Sequence, residues 1–178
     1  MLTRSSVRLL VAGALWVAFT AVGVVTFTSG VETVRIEDRC DPDTFNAVLG
    51  AGACVGDGNV TFDELIQKVT EEGAHGAWRF HPDQFHVKTG EGIEAHNIGG
   101  ETHTFTEVAK FGAGFVPEVN ALFDFGDVAP ECVNFPAVTK TFVAPGETTD
   151  VVSLGAGTHR FQCCIHPWMQ TEVTVRRR

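Results

Sequence analysis

Cys163, His166 and Met169 stand close together near the C-terminus, in the run Phe161-Gln-Cys-Cys-Ile-His-Pro-Trp-Met169. A thiolate, an imidazole and a thioether at this spacing can all be delivered by one tight loop after a strand. They are donors suited to copper. An ion cycling between Cu(I) and Cu(II) is served by a trigonal set of two His and one Cys with a weak axial Met. The loop is one imidazole short, so a second His must come from far upstream, brought near by sheet pairing. Asn97-Ile-Gly-Gly-Glu-Thr-His103-Thr-Phe105 offers it, because His103 stands where one predicted strand ends and the next begins. Zinc competes for Cys and His, but its structural sites take four Cys or His ligands and do not recruit Met. Histidines 75, 81, 86 and 96 lack partner spacing, and His96 is expected to face away from the site.

The cysteine count fits this division of labour. Five cysteines, at 40, 54, 132, 163 and 164, leave one thiol over in an exported chain. With Cys163 assigned to metal, four remain for two disulfides in an oxidising compartment. Cys40 and Cys54 flank a small loop and are paired with each other; Cys132 with Cys164 follows by elimination. Strand alternation turns Cys164 to the face opposite Cys163, so the two roles are compatible.

Three segments organise the chain. Residues 1–30 carry no acid; Arg4 and Arg8 precede an apolar run from Leu9 to Phe27 interrupted by glycine and threonine. That is the layout of an export signal, and the run also approaches the ~20 residues that span a bilayer as a helix. A cleaved signal and a retained N-terminal membrane anchor both fit, and either puts the rest outside the cytoplasm, in periplasm or extracellular space. Arg4 and Arg8 are the segment's only charges, so its removal moves the formal charge from −9 to −11. Such acidity argues against nucleic acid as a partner and for solubility or for steering towards a cationic partner.

Residues 31–76 read as a helical and loop extension. Asp41-Pro-Asp starts a turn or helix. Thr61 to Gly73 has a capped helical pattern, with Thr61 at the cap, Glu64 three residues on, apolar Phe62, Leu65, Ile66 and Val69, and Gly73 as the stop. Asp57-Gly58-Asn59 invites a calcium-loop reading. With Gly58 at the sixth position, however, the first and third fall on Ala53 and Val55, which lack side-chain oxygens.

Residues 77–178 change to short extended segments between Gly and Pro turns. Strands are expected at 77–81, 84–88, 92–97, 103–108, 139–143, 147–153, 158–164 and 170–176, with 139–143 and 170–176 alternating most clearly. This pattern predicts an all-β, antiparallel sandwich. The connection 109–138, rich in Gly and Phe, is expected to pack down onto it.

Taken together, these residues resemble the cupredoxins, the blue copper family that includes plastocyanin, azurin and amicyanin. Asn97 to His103 is similar to the family's upstream ligand loop. Gly157-Thr-His-Arg-Phe-Gln-Cys163 is similar to the strand entering the ligand loop, and Cys163-x-x-His166-x-x-Met169 to its short, amicyanin-like form. The resemblance covers residues ~77–176. It implies a Greek-key sandwich holding one type 1 copper ion, with Cys163 as short thiolate ligand, His103 and His166 completing the plane, and Met169 axial.

Two positions depart from the family pattern. Thr104 replaces an Asn that ties the two ligand loops together, and His159, read as structural, replaces a Tyr. A binuclear purple centre would need two cysteines three residues apart, whereas Cys163 and Cys164 are adjacent. Pro167 lacks an N–H, so one donor near the sulfur is missing and the potential is expected to be raised, checkable with Pro167→Ala in a redox titration. The resemblance further implies His166 at the surface as an electron doorway, ringed by Pro167, Trp168 and Phe111 or Phe115. The expected function is one-electron transfer with a redox partner such as a cytochrome or a membrane oxidoreductase. Copper storage or delivery without redox turnover is the alternative. A copper nitrite reductase would need a second copper centre and a second sandwich, for which the chain is too short.

Overall fold

The computed structural model describes residues 30–177; the expected signal or anchor at 1–30 lies, but for its last residue, outside them. Among the described residues no helix is long and apolar enough to cross a membrane. Two four-stranded sheets face each other. The first has the order β2 (Arg79–His81), β1 (Val31–Glu37), β4 (Gly92–Asn97), β8 (Val152–Ser153). The second runs β3 (Gln84–Lys88), β10 (Gln170–Arg176), β9 (Gly157–Gln162), β6 (Thr106–Val108). A two-stranded piece, β5 (His103–Thr104) with β7 (Phe142–Val143), lies beside them.

The core is built from the inward side chains of both sheets, among them Val34, Ile36, Phe80, Ile93 and Ala95 of the first and Val87, Phe161, Val173 and Val175 of the second. β10 shows why: Thr171, Val173 and Val175 are buried, while Gln170, Glu172 and Thr174 are half-buried on the other face, the period of a pleated strand. The sandwich is mixed rather than antiparallel throughout. β1 runs parallel to β4, and β3 parallel to β10.

The first of these pairs corrects the boundary drawn at residue 77. Val31–Glu37 belongs to the sandwich, sitting between β2 and β4 with Val34 and Ile36 wholly buried. The rest of the 31–76 stretch holds two helices and the loops around them. α1 (Pro42–Leu49) is capped by Asp41, whose carboxylate accepts from the Thr44 N–H at 2.9 Å. α2 (Phe62–Glu72) starts at Thr61, whose hydroxyl accepts from the Glu64 N–H, and ends at Gly73, with φ +76°. That left-handed conformation suits glycine. Both helices dock at one end of the sandwich, where Phe45 stacks on Trp78 with ring centroids 5.7 Å apart and meets Phe62 edge-on at 5.3 Å.

The 139–143 strand is shorter than its alternation suggested: Val138–Thr141 is a 3-10 turn and only Phe142–Val143 pairs. Hydroxyls compete with the ladder here, since Thr139 donates to the Pro136 carbonyl and Thr141 to that of Val138. The 109–138 connection packs down where Phe111 and Phe115 cover Cys132, Cys164 and Val138, while Phe123 and Phe135 remain exposed.

Candidate metal centre

The turn that follows β9 is held shut by its own backbone. Cys163 N–H donates to the Met169 carbonyl at 3.0 Å, and Met169 N–H to the His166 carbonyl at 2.9 Å. Both expected disulfides are formed, Cys40–Cys54 and Cys132–Cys164, leaving Cys163 as the free, buried thiol. Cys164 thereby ties the turn to the 109–138 connection, and Cys163 faces the other way.

His103, at the start of β5, reaches the turn through that strand and Thr104. The Thr104 N–H donates to Cys163 Sγ at 3.4 Å, and its hydroxyl accepts from the Cys164 N–H at 2.7 Å. Thr104 therefore joins the two loops. Asn97 is fully buried and braces the upstream loop. Its amide donates to the carbonyls of Glu101 and Val143 at 2.8 and 2.9 Å and accepts from the Gly99 N–H.

The result is a donor triangle. Cys163 Sγ lies 3.7 Å from His103 Nδ1 and 3.9 Å from His166 Nδ1, and the two nitrogens are 3.2 Å apart. Metal–nitrogen and metal–sulfur bonds of about 2.0–2.3 Å need triangle edges of roughly 3.3–3.8 Å, and the observed edges fall within about 0.1 Å of that span, so one ion fits. Among the described residues, only these three groups bring so compact a set of His, Cys or carboxylate ligand atoms together. Cys163, His103 and Met169 have no solvent exposure. Among the described residues no fourth His or Cys joins, as a structural zinc site would require; Met169, whose backbone closes the same turn, is wholly buried.

The electrostatics prepare the thiolate. Burial alone would raise the Cys163 thiol, but the hydrogen bonds and charge of His103 and His166 outweigh it and hold it well below its ordinary value. The thiolate is the form that binds metal. Burial likewise pulls His103 down, yet its bonds to Asp38 and Cys163 prevail and, without metal, lift it to about 9.

Two acids that the sequence reading did not single out lie behind the imidazoles. Asp38 Oδ2 is 2.9 Å from His103 Nε2, with both side chains wholly buried. Glu101 Oε2 accepts from Trp78 Nε1 at 2.6 Å and stands 3.8 Å from His166 Nε2, beyond hydrogen-bond reach. A signal for Asp38 existed: Val34, Ile36 and Asp38 share the inward parity of β1.

Two expectations for the rim are corrected. His166 is not at the surface; it is 6 % exposed and forms part of the wall of an apolar groove of about 370 Å³ together with Phe45, Phe62, Leu65, Ile165 and Trp168. The helices docked by Phe45 roof over the edge that a bare sandwich would leave open. Phe111 and Phe115 lie instead against the Cys132–Cys164 side. Trp168 lies beside His166, its ring centroid 5.3 Å from that of His166 and 6.0 Å from that of Phe125. Pro167 offers its carbonyl to Gln170 Nε2, and the sulfur has two backbone donors regardless, from Thr104 and from His166, each at 3.4 Å. His159 bonds Glu107 and the Gly155 carbonyl, apart from the pocket. His96 pairs by its backbone with Thr148.

A buried cysteine sulfur with two imidazoles, held between loops at one end of a two-sheet β-sandwich, makes a site able to hold one metal ion. No family model and no curated relative matches the sequence. Solved structures similar to the chain include a purple cupredoxin and several amicyanins. A purple cupredoxin from Nitrosopumilus maritimus is 14 % identical with TM-score 0.42, over 82 % of this chain and 99 % of that one. Amicyanin from Paracoccus versutus is 15 % identical with TM-score 0.34, over 55 % and 73 %. An amicyanin variant in its Cu(I) state is 18 % identical with TM-score 0.38, over 60 % and 89 %. At such scores the likeness adds no weight to the chemistry, which rests on the donor atoms.

Proposed function

We propose that this protein is an exported, mononuclear type 1 copper protein that carries single electrons between partner proteins. The observation that carries the reading is the triangle of Cys163 Sγ, His103 Nδ1 and His166 Nδ1, with edges of 3.2–3.9 Å, in a pocket closed to solvent. His103, Cys163 and His166 would hold the metal, and the buried Met169 would supply a further, weaker thioether donor. Bound there, copper supplies a Cu(I)/Cu(II) couple suited to one-electron exchange.

The chain's own residues hold the donors still. Thr104 ties one ligand loop to the other, Asn97 braces the upstream loop, and the Cys132–Cys164 disulfide anchors the turn. Donors fixed in this way keep nearly one geometry in both oxidation states, as a carrier needs. The backbone N–H groups of Thr104 and His166 stabilise the thiolate, and the apolar groove beside His166 keeps water from the edge nearest a partner. Export is supported by the layout of residues 1–30 and by two disulfides, which persist in oxidising compartments.

Copper-loaded, oxidised protein should show an intense thiolate-to-copper absorption band that vanishes in Cys163→Ser. It should also keep its copper through repeated reduction and reoxidation by a cytochrome. A colourless product would contradict a copper centre; rapid loss of Cu(I) to a chelator would turn the reading to copper storage or delivery.

A further inference from the structure

Asp38 is wholly buried at its side chain and belongs to no loop that supplies a metal ligand. It follows directly on β1, and four groups converge on its carboxylate. Oδ1 accepts from the N–H of Cys40 at 3.2 Å and of Gly100 at 3.0 Å, while Oδ2 accepts from the Glu101 N–H at 3.0 Å and meets His103 Nε2 at 2.9 Å. Gly99 and Gly100 make the approach feasible. A Cβ on Gly99 would overlap the Asp38 carboxylate, and one on Gly100 would come within 2.5 Å of the Gly56 nitrogen and 2.7 Å of Cys40 Sγ. The Cys40–Cys54 disulfide and the Val55 N–H bond to the Gly100 carbonyl, at 2.9 Å, fasten the same corner. A carboxylate would not be buried at such desolvation cost without partners of this quality.

We infer that Asp38 is a positioning residue for the metal centre: by accepting the Nε2–H of His103 it fixes the tautomer that presents Nδ1 to the metal, and it biases the copper couple towards Cu(II). A carboxylate behind a ligating imidazole orients the ring and raises its basicity, and its negative charge favours the more positive oxidation state. The role of the 31–76 stretch follows, because β1, the Cys40–Cys54 loop and the Gly99–Gly100 turn together hold this one carboxylate. The inference rests on the copper reading above.

The test uses the full, copper-loaded chain, unaltered and as Asp38→Asn, which keeps an acceptor but removes the charge. The thiolate band should survive in the variant. At a fixed ambient potential the ratio of Cu(I) to Cu(II) should rise about tenfold, equivalent to about 59 mV for a one-electron couple. A variant with an intact band and an unchanged ratio would overturn the inference and leave the copper reading standing; an unaltered protein without the band would overturn both. Nitrogen NMR of the unaltered Cu(I) protein gives a readout that needs no variant to fold. His103 should carry its proton on Nε2, in a slowly exchanging hydrogen bond, and a proton that exchanges freely with solvent would overturn the role of Asp38.

Discussion

At the residue scale, histidine chemistry separates by what each ring faces. His103 and His166 turn Nδ1 inward to Cys163, whereas His159 turns Nδ1 to Glu107 at 2.6 Å and Nε2 to the Gly155 carbonyl at 2.9 Å. The Glu107 hydrogen bond is the chief reason that His159 is held above its ordinary value, against the opposing pull of burial. A raised folded-state pKa means that the pair stabilises the fold below about pH 6.5, the unfolded value. That contribution is lost as pH rises through the folded-state value. Imidazole NMR of the Cu(I) protein should show the His159 midpoint above 6.5, falling in Glu107→Gln. A midpoint that does not move with this substitution would contradict the assignment. Thr104 shows the same economy of contact: one residue gives its N–H to the ligand sulfur and accepts the next backbone N–H, the work expected of an Asn.

At the element scale, α2 was legible because its signals are local: a hydroxyl cap, an apolar stripe and a glycine stop all sit within thirteen residues, and each forms as read. β1 was not, because Val-Glu-Thr-Val-Arg-Ile-Glu-Asp is charged at four of its eight positions and earns its place only through pairing with β4, about 60 residues away in the chain. The metal loop lay between these cases. Its donors and spacing were plain, but the burial of His166 depends on helices whose docking on Trp78 no local pattern announces. Gly100→Ala would press a methyl group on the Gly56 backbone and the Cys40 sulfur. Overpacking of this kind costs about 1–3 kcal/mol, so thermal unfolding of the variant should move down by several degrees with the Asp38 corner loosened. A melting curve superposable on that of the unaltered protein would show that the turn has room.

At the scale of the whole molecule, β1 runs from Val31, opposite Gly92, to Ile36, opposite Asn97, and continues to Asp38 beneath the metal pocket. At ~3.3 Å per residue, the chain enters the sandwich about 20 Å from that pocket, at the other pole. The groove wall of Phe45, Phe62, Leu65 and Trp168 beside His166 is an apolar face in a chain of formal charge −9.

The most direct test of the centre is X-ray absorption at the copper edge on the loaded protein in both oxidation states. The expected result is one copper ion per chain with two imidazole nitrogens and one short sulfur in its nearest shell, scarcely changed on reduction. Sulfur missing from that shell, or a shell that gains or loses a ligand on reduction, would contradict a rigid carrier built on His103, Cys163 and His166.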